Sequence, residues 1–246
     1  MRIFPHLVAA VLCTMLGVLG GRAFADSKTG VDLVLVLAID VSDSMTDASW
    51  QLERQGYIDA FESPAVAEAL RETGTVAVEV VEWGTHQNIS VPWFLISDEV
   101  SREQFVALLS QMGRTNGGGT YLQDALVFCA STISTSRYAG ARSVIDVSGD
   151  GTDNRMGSDP NAVVAVHNRI LGQGIVINGL PIRVNSAGAD AGYSFSVVLS
   201  ASDTSENVVR YYRQYVIGGP GSFLLPANGY GDFAPAILKK LVQEIS

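Results

Sequence analysis

The sequence predicts an α/β fold in which a mainly parallel sheet is covered by helices on both faces, and three observations carry that prediction. Residues 33–39 form an unbroken run of Leu, Val, Ala and Ile, which is typical of a strand buried on both faces of a parallel sheet. Further strand-like segments alternate along the chain with segments of helical periodicity. The length of 246 residues suits one domain of this class with a sizeable core.

The segments after the first strand are assigned in chain order. Residues 50–70 have a helical pattern that Pro64 ends or kinks. Residues 75–83 alternate as a half-buried strand does, and residues 89–96 are expected to pair with them across a short turn. Pro92 in the second of these strands is typical of a sheet edge.

The rest of the chain continues the alternation of strands and helices. The predicted helices are residues 97–112, 122–134, 161–171, 206–216 and 232–245. The predicted strands are residues 141–148, residues 175–182 and the short segment 222–226. This order indicates crossover connections and therefore a mainly parallel sheet.

Residues 1–25 have the features of a secretory signal peptide. Arg2 lies in a short basic region, residues 7–19 are apolar, and Ala23-Phe24-Ala25 has the small-residue pattern of a cleavage site. A retained N-terminal anchor is the alternative, although the apolar run is short for a transmembrane span. We therefore expect residues 26–246 to form a single exported domain, periplasmic or secreted, with no stable membrane insertion after cleavage.

The cleavage site gives a direct prediction: the mature protein should begin at Asp26, because the small residues Ala23 and Ala25 precede it after a short apolar region. N-terminal sequencing of the protein from its native host measures this. An exported protein that still begins at Met1 or Arg2 would identify the segment as an anchor instead.

Composition restricts the function classes. The chain has 25 acidic and 16 basic residues, for a formal charge of −9, and this balance opposes nucleic-acid binding, which depends on a basic surface. It suits an exported protein that attracts cations. After cleavage Cys129 is the one remaining cysteine, so we expect no internal disulfide and predict that Cys129 is a small buried apolar residue.

Three oxygen-bearing side chains follow the first strand directly. Asp40, Ser42 and Ser44 are spaced two residues apart, so they can point the same way from an extended or turning backbone. They lie past the carboxyl end of a buried strand, where open α/β sheets bind ligands. Convergent hard oxygens suit Mg2+, Ca2+ or Mn2+. The alternative is turn and helix N-cap chemistry, for which Ser and Asp are also preferred.

Two later loops offer matching oxygens. Thr120 follows Gly117-Gly118-Gly119, and glycines there allow the backbone to approach a site closely. Asp150 follows the buried strand at residues 143–147, as Asp40 follows its own strand. An ordinary helix N-cap at Thr120 and a turn residue at Asp150 are the alternatives.

Taken together, these five positions resemble the von Willebrand factor A domain and its metal-ion-dependent adhesion site. The resemblance extends over roughly residues 31–246 and implies a three-layer, Rossmann-like fold. Within that superfamily the chain is most similar to a bacterial group of secreted A-domain proteins, through Trp83, Val91-Pro92-Trp93, Ile217-Gly218-Gly219-Pro220-Gly221 and residues 233–245.

The resemblance implies a role for each of the five positions. Ser42 and Ser44 would bind the cation through their hydroxyls, Thr120 directly or through water, and Asp40 and Asp150 directly or through waters. The cation would be a divalent ion, with Mg2+ expected first and Ca2+ or Mn2+ as alternatives. An ion held largely by neutral hydroxyls keeps much of its charge, and an open position can then accept an Asp or Glu carboxylate of a protein partner.

Gly149 departs from the motif of the family, and three further acidic residues, Asp153, Asp43 and Asp146, lie near the five positions or in the strand before Asp150. Gly149 stands directly before Asp150, where the family commonly has Thr or Ser, so Asp153 is a substitute ligand to consider. Asp43 is expected to be a solvated loop charge. Asp146, inside a predicted buried strand, needs a partner that the sequence does not identify.

Two other functions are weighed against metal-dependent adhesion. A haloacid-dehalogenase-type phosphotransfer enzyme also begins with an Asp after a buried strand, but the second acid expected two positions later is Ser42 here, and no suitable Lys follows. A metal-free interaction module of the same fold is the other alternative. The histidines His86 and His167 have no zinc-site spacing, and no nucleophile elbow or P-loop is present, so we expect a non-enzymatic protein.

Overall fold

The computed structural model describes residues 27–115, 117–155, 160–184 and 205–246. The predicted signal peptide at residues 1–25 lies outside the described residues and stays a prediction. Five strands form one sheet: β1 (Thr29–Asp40), β2 (Val76–Trp83), β3 (Gln87–Ile96), β4 (Tyr138–Gly149) and β5 (Ile175–Pro181). Their order is β3-β2-β1-β4-β5, and only β3 runs antiparallel to its neighbour.

Seven α-helices in the described part of the chain cover the sheet. They are α1 (Asp47–Glu62), α2 (Pro64–Thr73), α3 (Glu99–Ser110), α4 (Leu122–Thr135), α5 (Pro160–Leu171), α6 (Ser205–Tyr211) and α7 (Phe233–Ile245). Apolar residues of α1, α2, α3 and α7 form a core on one face, and residues of α4, α5 and α6 form a core on the other. The predicted α/β class with helices on both faces is confirmed.

The central strand β1 explains why the sheet organises the chain. From Leu33 to Ile39 its residues contribute alternately to the two cores, and all of them are buried. Because β2 and β4 both run parallel to β1, the three strands end at the same edge of the sheet. Asp40 and Asp150 therefore reach one edge from neighbouring strands.

The predicted helix at residues 50–70 is two helices. Ser63 separates α1 from α2, and its hydroxyl accepts a hydrogen bond of 3.2 Å from the backbone N–H of Val66. Pro64 occupies the first turn of α2, where its missing N–H costs nothing. The proline thus ends one helix and begins the next.

Strand β2 is fully buried, so the expectation of a half-buried strand was wrong. Its alternate residues pack into both cores, and the acidic residue Glu82 is buried with partners on both carboxylate oxygens. Trp50 Nε1 donates to one oxygen at 2.9 Å and the Ser90 hydroxyl donates to the other at 2.8 Å. Glu79, the polar residue of the predicted alternation, is buried as well, so neither acid of this strand faces solvent.

The segment 222–226 is not a strand. It runs beside β5 through isolated bridges, with Gly179 paired to Leu224 and Ile182 paired to Ala227. Backbone hydrogen bonds from Leu225 and Ala227 to β5 cover this edge of the sheet. The predicted helix at residues 206–216 is confirmed, but its last turn, Tyr212–Val216, is a π-helix.

None of the helices in the described part of the chain is both long enough and apolar enough to span a bilayer.

Cys129 is fully buried in α4, in agreement with its prediction as a small apolar core residue.

Candidate metal centre

Asp40 lies at the end of β1 and is completely buried. Its Oδ1 accepts a hydrogen bond of 2.8 Å from the backbone N–H of Ser42, at the start of the turn that follows the strand. Its Oδ2 has no hydrogen-bond partner among the described residues. A buried carboxylate oxygen without a donor is costly and suggests a group that the protein residues alone do not supply.

The loop after β1 (residues 41–46, called the first loop) and the loop after β4 contact each other through hydroxyls and a carboxylate. The hydroxyl oxygens of Ser42 and Ser44 lie 3.0 Å apart, and Ser44 donates to Asp150 Oδ1 at 2.7 Å. On the other side, the hydroxyl of Tyr230 donates to Asp150 Oδ2 at 2.9 Å. The structure therefore brings Ser42, Ser44 and Asp150 together, and Tyr230 joins them from the turn before α7.

The glycine triplet packs against both neighbouring loops. A Cβ at Gly117 would lie 1.7 Å from the carbonyl oxygen of Val41, so no side chain fits. Gly118 has a φ of +66° and exchanges hydrogen bonds with Asp43, whose backbone N–H donates to the Gly118 carbonyl and whose Oδ1 accepts from the Gly118 N–H. Asp43 is exposed, as predicted, but it also joins the first loop to the glycine triplet.

Thr120 is buried directly after the triplet and lies against the loop that contains Asp150. The side chain of Asn154 accepts from the backbone N–H of Thr120 at 2.9 Å, and the backbone N–H of Asn154 donates to the Thr120 carbonyl at 3.0 Å. A Cβ on Gly151 would lie 3.3 Å from Oγ1 of Thr120. The fifth predicted residue is thus adjacent to the cluster, held there by Asn154.

Asp153 has a different environment. Its Oδ2 accepts from the backbone N–H of Gln123 at 2.9 Å and its Oδ1 accepts from the backbone N–H of Arg155 at 3.1 Å. The first of these bonds caps the start of α4, for which the N-terminal residue Tyr121 provides no side-chain cap. These contacts favour Asp150 over Asp153 as the acid of this loop at the site.

Arg114 supports the first loop and was not identified from the sequence. Its guanidinium donates to the backbone carbonyls of Val41, Ser42 and Met45 and forms an ion pair with Asp47 at 2.6 Å. Because it satisfies carbonyls of a loop that has no regular secondary structure, it fixes the turn that presents the two serines.

Negative charge accumulates at this edge of the sheet. Burial, followed by the charge of Asp150, raises the pKa of Asp40 to about 7. Glu53 of α1 is also fully buried nearby, and burial raises the pKa of its carboxyl well above the usual range, with Asp40 and Asp150 adding to the effect. A cation among these oxygens would supply the compensating charge.

The donor set fits a hard divalent cation. Hydroxyl and carboxylate oxygens are the ligands that Mg2+, Mn2+ and Ca2+ take in proteins. Within the described ranges, no group of three or more His, Cys, Asp or Glu side chains is placed to hold a metal. A cation at this position would therefore depend on the serine and threonine hydroxyls as well as on the carboxylates.

Comparison with solved structures identifies the fold as that of the von Willebrand factor A domain. Proximal thread matrix protein 1 from the mussel byssus superposes with a TM-score of 0.58 at 13% identity, over 89% of this chain and 47% of that one. The pilus adhesin SpaC of Lactobacillus rhamnosus GG gives 0.57 at 15% identity, over 89% and 31%. A von Willebrand factor type A protein from Catenulispora acidiphila gives 0.53 at 14% identity, over 87% and 43%.

Our chain spans less than half the length of each of these three proteins. Residues 30–246 match the model of the family described as "Protein of unknown function (DUF1194)", and the chain belongs to that family. No curated protein matches the sequence.

Proposed function

We propose that this protein is an exported, non-enzymatic binding module that holds a divalent cation and, through it, recruits an acidic group on a protein partner. The observation that carries the proposal is the cluster at the end of β1 and β4, in which hydroxyls of Ser42 and Ser44 meet the carboxylate of Asp150 beside the buried Asp40. Thr120 would complete the ligand set.

The ligand set proposed for the cation favours recruitment of a partner carboxylate. Three of the five ligands are neutral hydroxyls, and a carboxylate that binds through a water places no anionic oxygen in the first shell, so the ion would keep affinity for a further carboxylate. Mg2+ is the ion we expect first. An Asp or Glu side chain of the partner would then occupy an open coordination position. One solved structure of the mussel thread matrix protein has a zinc-occupied metal-ion-dependent adhesion site, and this supports the proposal that the similar fold here binds a divalent cation.

An enzymatic role has less support. A phosphotransfer enzyme would need a general acid beside Asp40, but the residue two positions later is Ser42, and Asp153 is engaged in capping α4. Arg114 contacts the first loop, but its guanidinium is directed toward backbone carbonyls. Phosphatase activity that requires metal and disappears in Asp40→Asn would reverse this conclusion, because only that mechanism uses Asp40 as a nucleophile.

The proposal is tested by capture of a partner from the native extracytoplasmic fraction, with the wild-type protein and Asp40→Ala as paired baits. We expect a partner that binds wild type in Mg2+ or Mn2+, leaves in EDTA, returns when the ion is restored, and is absent from the Asp40→Ala bait. Changing the partner's acidic residue to its amide should remove binding, because the amide cannot replace a carboxylate at the metal.

Two outcomes would contradict the proposal. Isothermal titration calorimetry that detects no divalent cation on the EDTA-stripped wild-type protein would exclude the metal. A captured partner that binds equally in EDTA would leave the fold as an interaction module without metal, which is the alternative that the sequence also allowed.

A further inference from the structure

Three buried side chains pack closely against Gly149. A Cβ at this residue would lie 2.8 Å from Asp40 Oδ2, 2.8 Å from the hydroxyl oxygen of Tyr212 and 2.9 Å from Cζ2 of Trp83. Real Cβ atoms essentially never approach other atoms this closely, so the position accepts only glycine unless the neighbours move. Because Gly149 has no side chain, Asp40 Oδ2 and the Tyr212 hydroxyl can both lie close to its α-carbon.

The two polar atoms beside Gly149 both lack a hydrogen-bond partner among the described residues. They are Asp40 Oδ2 and the Tyr212 hydroxyl, and each is completely buried. Because each lies 2.8 Å from the position of a Cβ at Gly149, they are no farther apart than one bridging water can span. One is a carboxylate that needs a donor and the other is a hydroxyl that can donate.

Tyr212 is placed there by an irregular piece of helix. It is the first residue of the π-helical turn at Tyr212–Val216, which ends where Ile217 N–H donates to the Tyr212 carbonyl. Such turns are rare and occur frequently at functional sites, because they redirect a side chain that a regular helix would place elsewhere. A tyrosine hydroxyl carries its proton at neutral pH, so Tyr212 can act as the donor.

We propose that Tyr212 is a positioning residue of the metal centre, whose hydroxyl donates to Asp40 Oδ2 through a single water. This inference rests on the proposed function. With Oδ1 fixed by the backbone N–H of Ser42, the second oxygen would be fixed by Tyr212, and Asp40 would be held as an oriented carboxylate for the cation. Gly149 is the residue that makes room for this contact.

The test compares Tyr212→Phe with Tyr138→Phe in the full mature protein, by calorimetric titration of Mn2+ and Mg2+ and by thermal denaturation in EDTA. Tyr138 is also buried, but it begins β4 at the opposite end of the sheet, where its hydroxyl accepts from Arg137. We expect Tyr212→Phe to weaken metal binding about 10-fold or more, as the loss of outer-shell partners does. Tyr138→Phe should leave metal affinity unchanged.

A structural role for Tyr212 predicts a different pattern, namely a lower melting temperature in EDTA with unchanged metal affinity, and that result would overturn the inference. Gly149→Ala provides a second variant, since its methyl group would separate Asp40 from an intact Tyr212; wild-type affinity in Gly149→Ala would also overturn it. If the wild-type protein binds no metal, the proposed function fails. If the wild type binds and Tyr212→Phe binds equally, only this inference fails.

Discussion

Asp40→Ala is expected to lose divalent-cation binding by more than about 100-fold, because removal of even an outer-shell partner of a metal ligand costs about 10–100-fold. The carboxylate is completely buried at the end of β1, and its backbone contact with Ser42 sets the course of the loop that carries both serines. Calorimetric titration of Mg2+ and Mn2+ into EDTA-stripped protein measures the loss. The circular dichroism of the fold should be unchanged.

Asp43→Asn is the matched control for this experiment. Asp43 is exposed and is an aspartate of the same loop as Asp40, and the amide oxygen of Asn can still accept from the Gly118 N–H. Its metal affinity should therefore stay near the wild-type value. Equal affinity in Asp40→Ala would show that the site is misplaced, and an equal loss in Asp43→Asn would make Asp43 a ligand.

The residues that the sequence identified at the candidate site share one property: each follows directly from local sequence order. Asp40 and Asp150 come after buried parallel strands, and the carboxyl ends of such strands meet at one edge of a sheet. The three glycines before Thr120 predict that the backbone there approaches a neighbouring loop closely. Local sequence pattern is sufficient to predict where these residues lie, because parallel strands place their carboxyl ends at the same edge of the sheet.

The supporting residues escaped prediction because their contacts connect distant parts of the chain. Tyr230 reaches Asp150 across 80 residues, and Arg114 reaches the carbonyl of Val41 across 73. Neither residue has a local signal, since a tyrosine before a helix and an arginine in a glycine-rich loop are both ordinary. Asn154 lies in the Asp150 loop, but its bond to Thr120 becomes visible only when the two loops meet.

The fold was predicted more completely than the burial of its polar residues. Glu79 gave β2 the pattern of a half-buried strand, but Glu79 is buried, and so is Glu82, whose carboxylate accepts from Trp50 and Ser90 inside the core. Asp146 is a second acidic residue inside a buried strand, β4. The sequence indicates that it needs a partner but does not identify that partner. The structure identifies that partner as Lys240 of α7, which contacts Asp146 Oδ1.

Lys240 forms a buried ionic cluster on this face of the sheet. Its side chain and that of Asp146 are completely buried, and Lys240 also contacts Oε1 of Glu244 one turn further along α7. Burial, and then the charge of Asp146, raise the pKa of the Glu244 carboxyl well above its usual range. Glu244 thus favours its neutral form, and Lys240 is the charge that compensates Asp146.

Lys240→Met is consequently expected to lower the free energy of unfolding by about 3–5 kcal/mol, since it leaves the buried carboxylate of Asp146 without its counter-charge. Urea denaturation followed by circular dichroism measures the loss. Lys239→Met is the matched control, because Lys239 is the exposed neighbour in the same helix and its replacement should change stability by less than about 0.5 kcal/mol. Combining Lys240→Met with Asp146→Leu should recover most of the loss, because an apolar pair of similar volume carries no unpaired charge. Equal stability of Lys240→Met and Lys239→Met would show that Asp146 does not depend on Lys240.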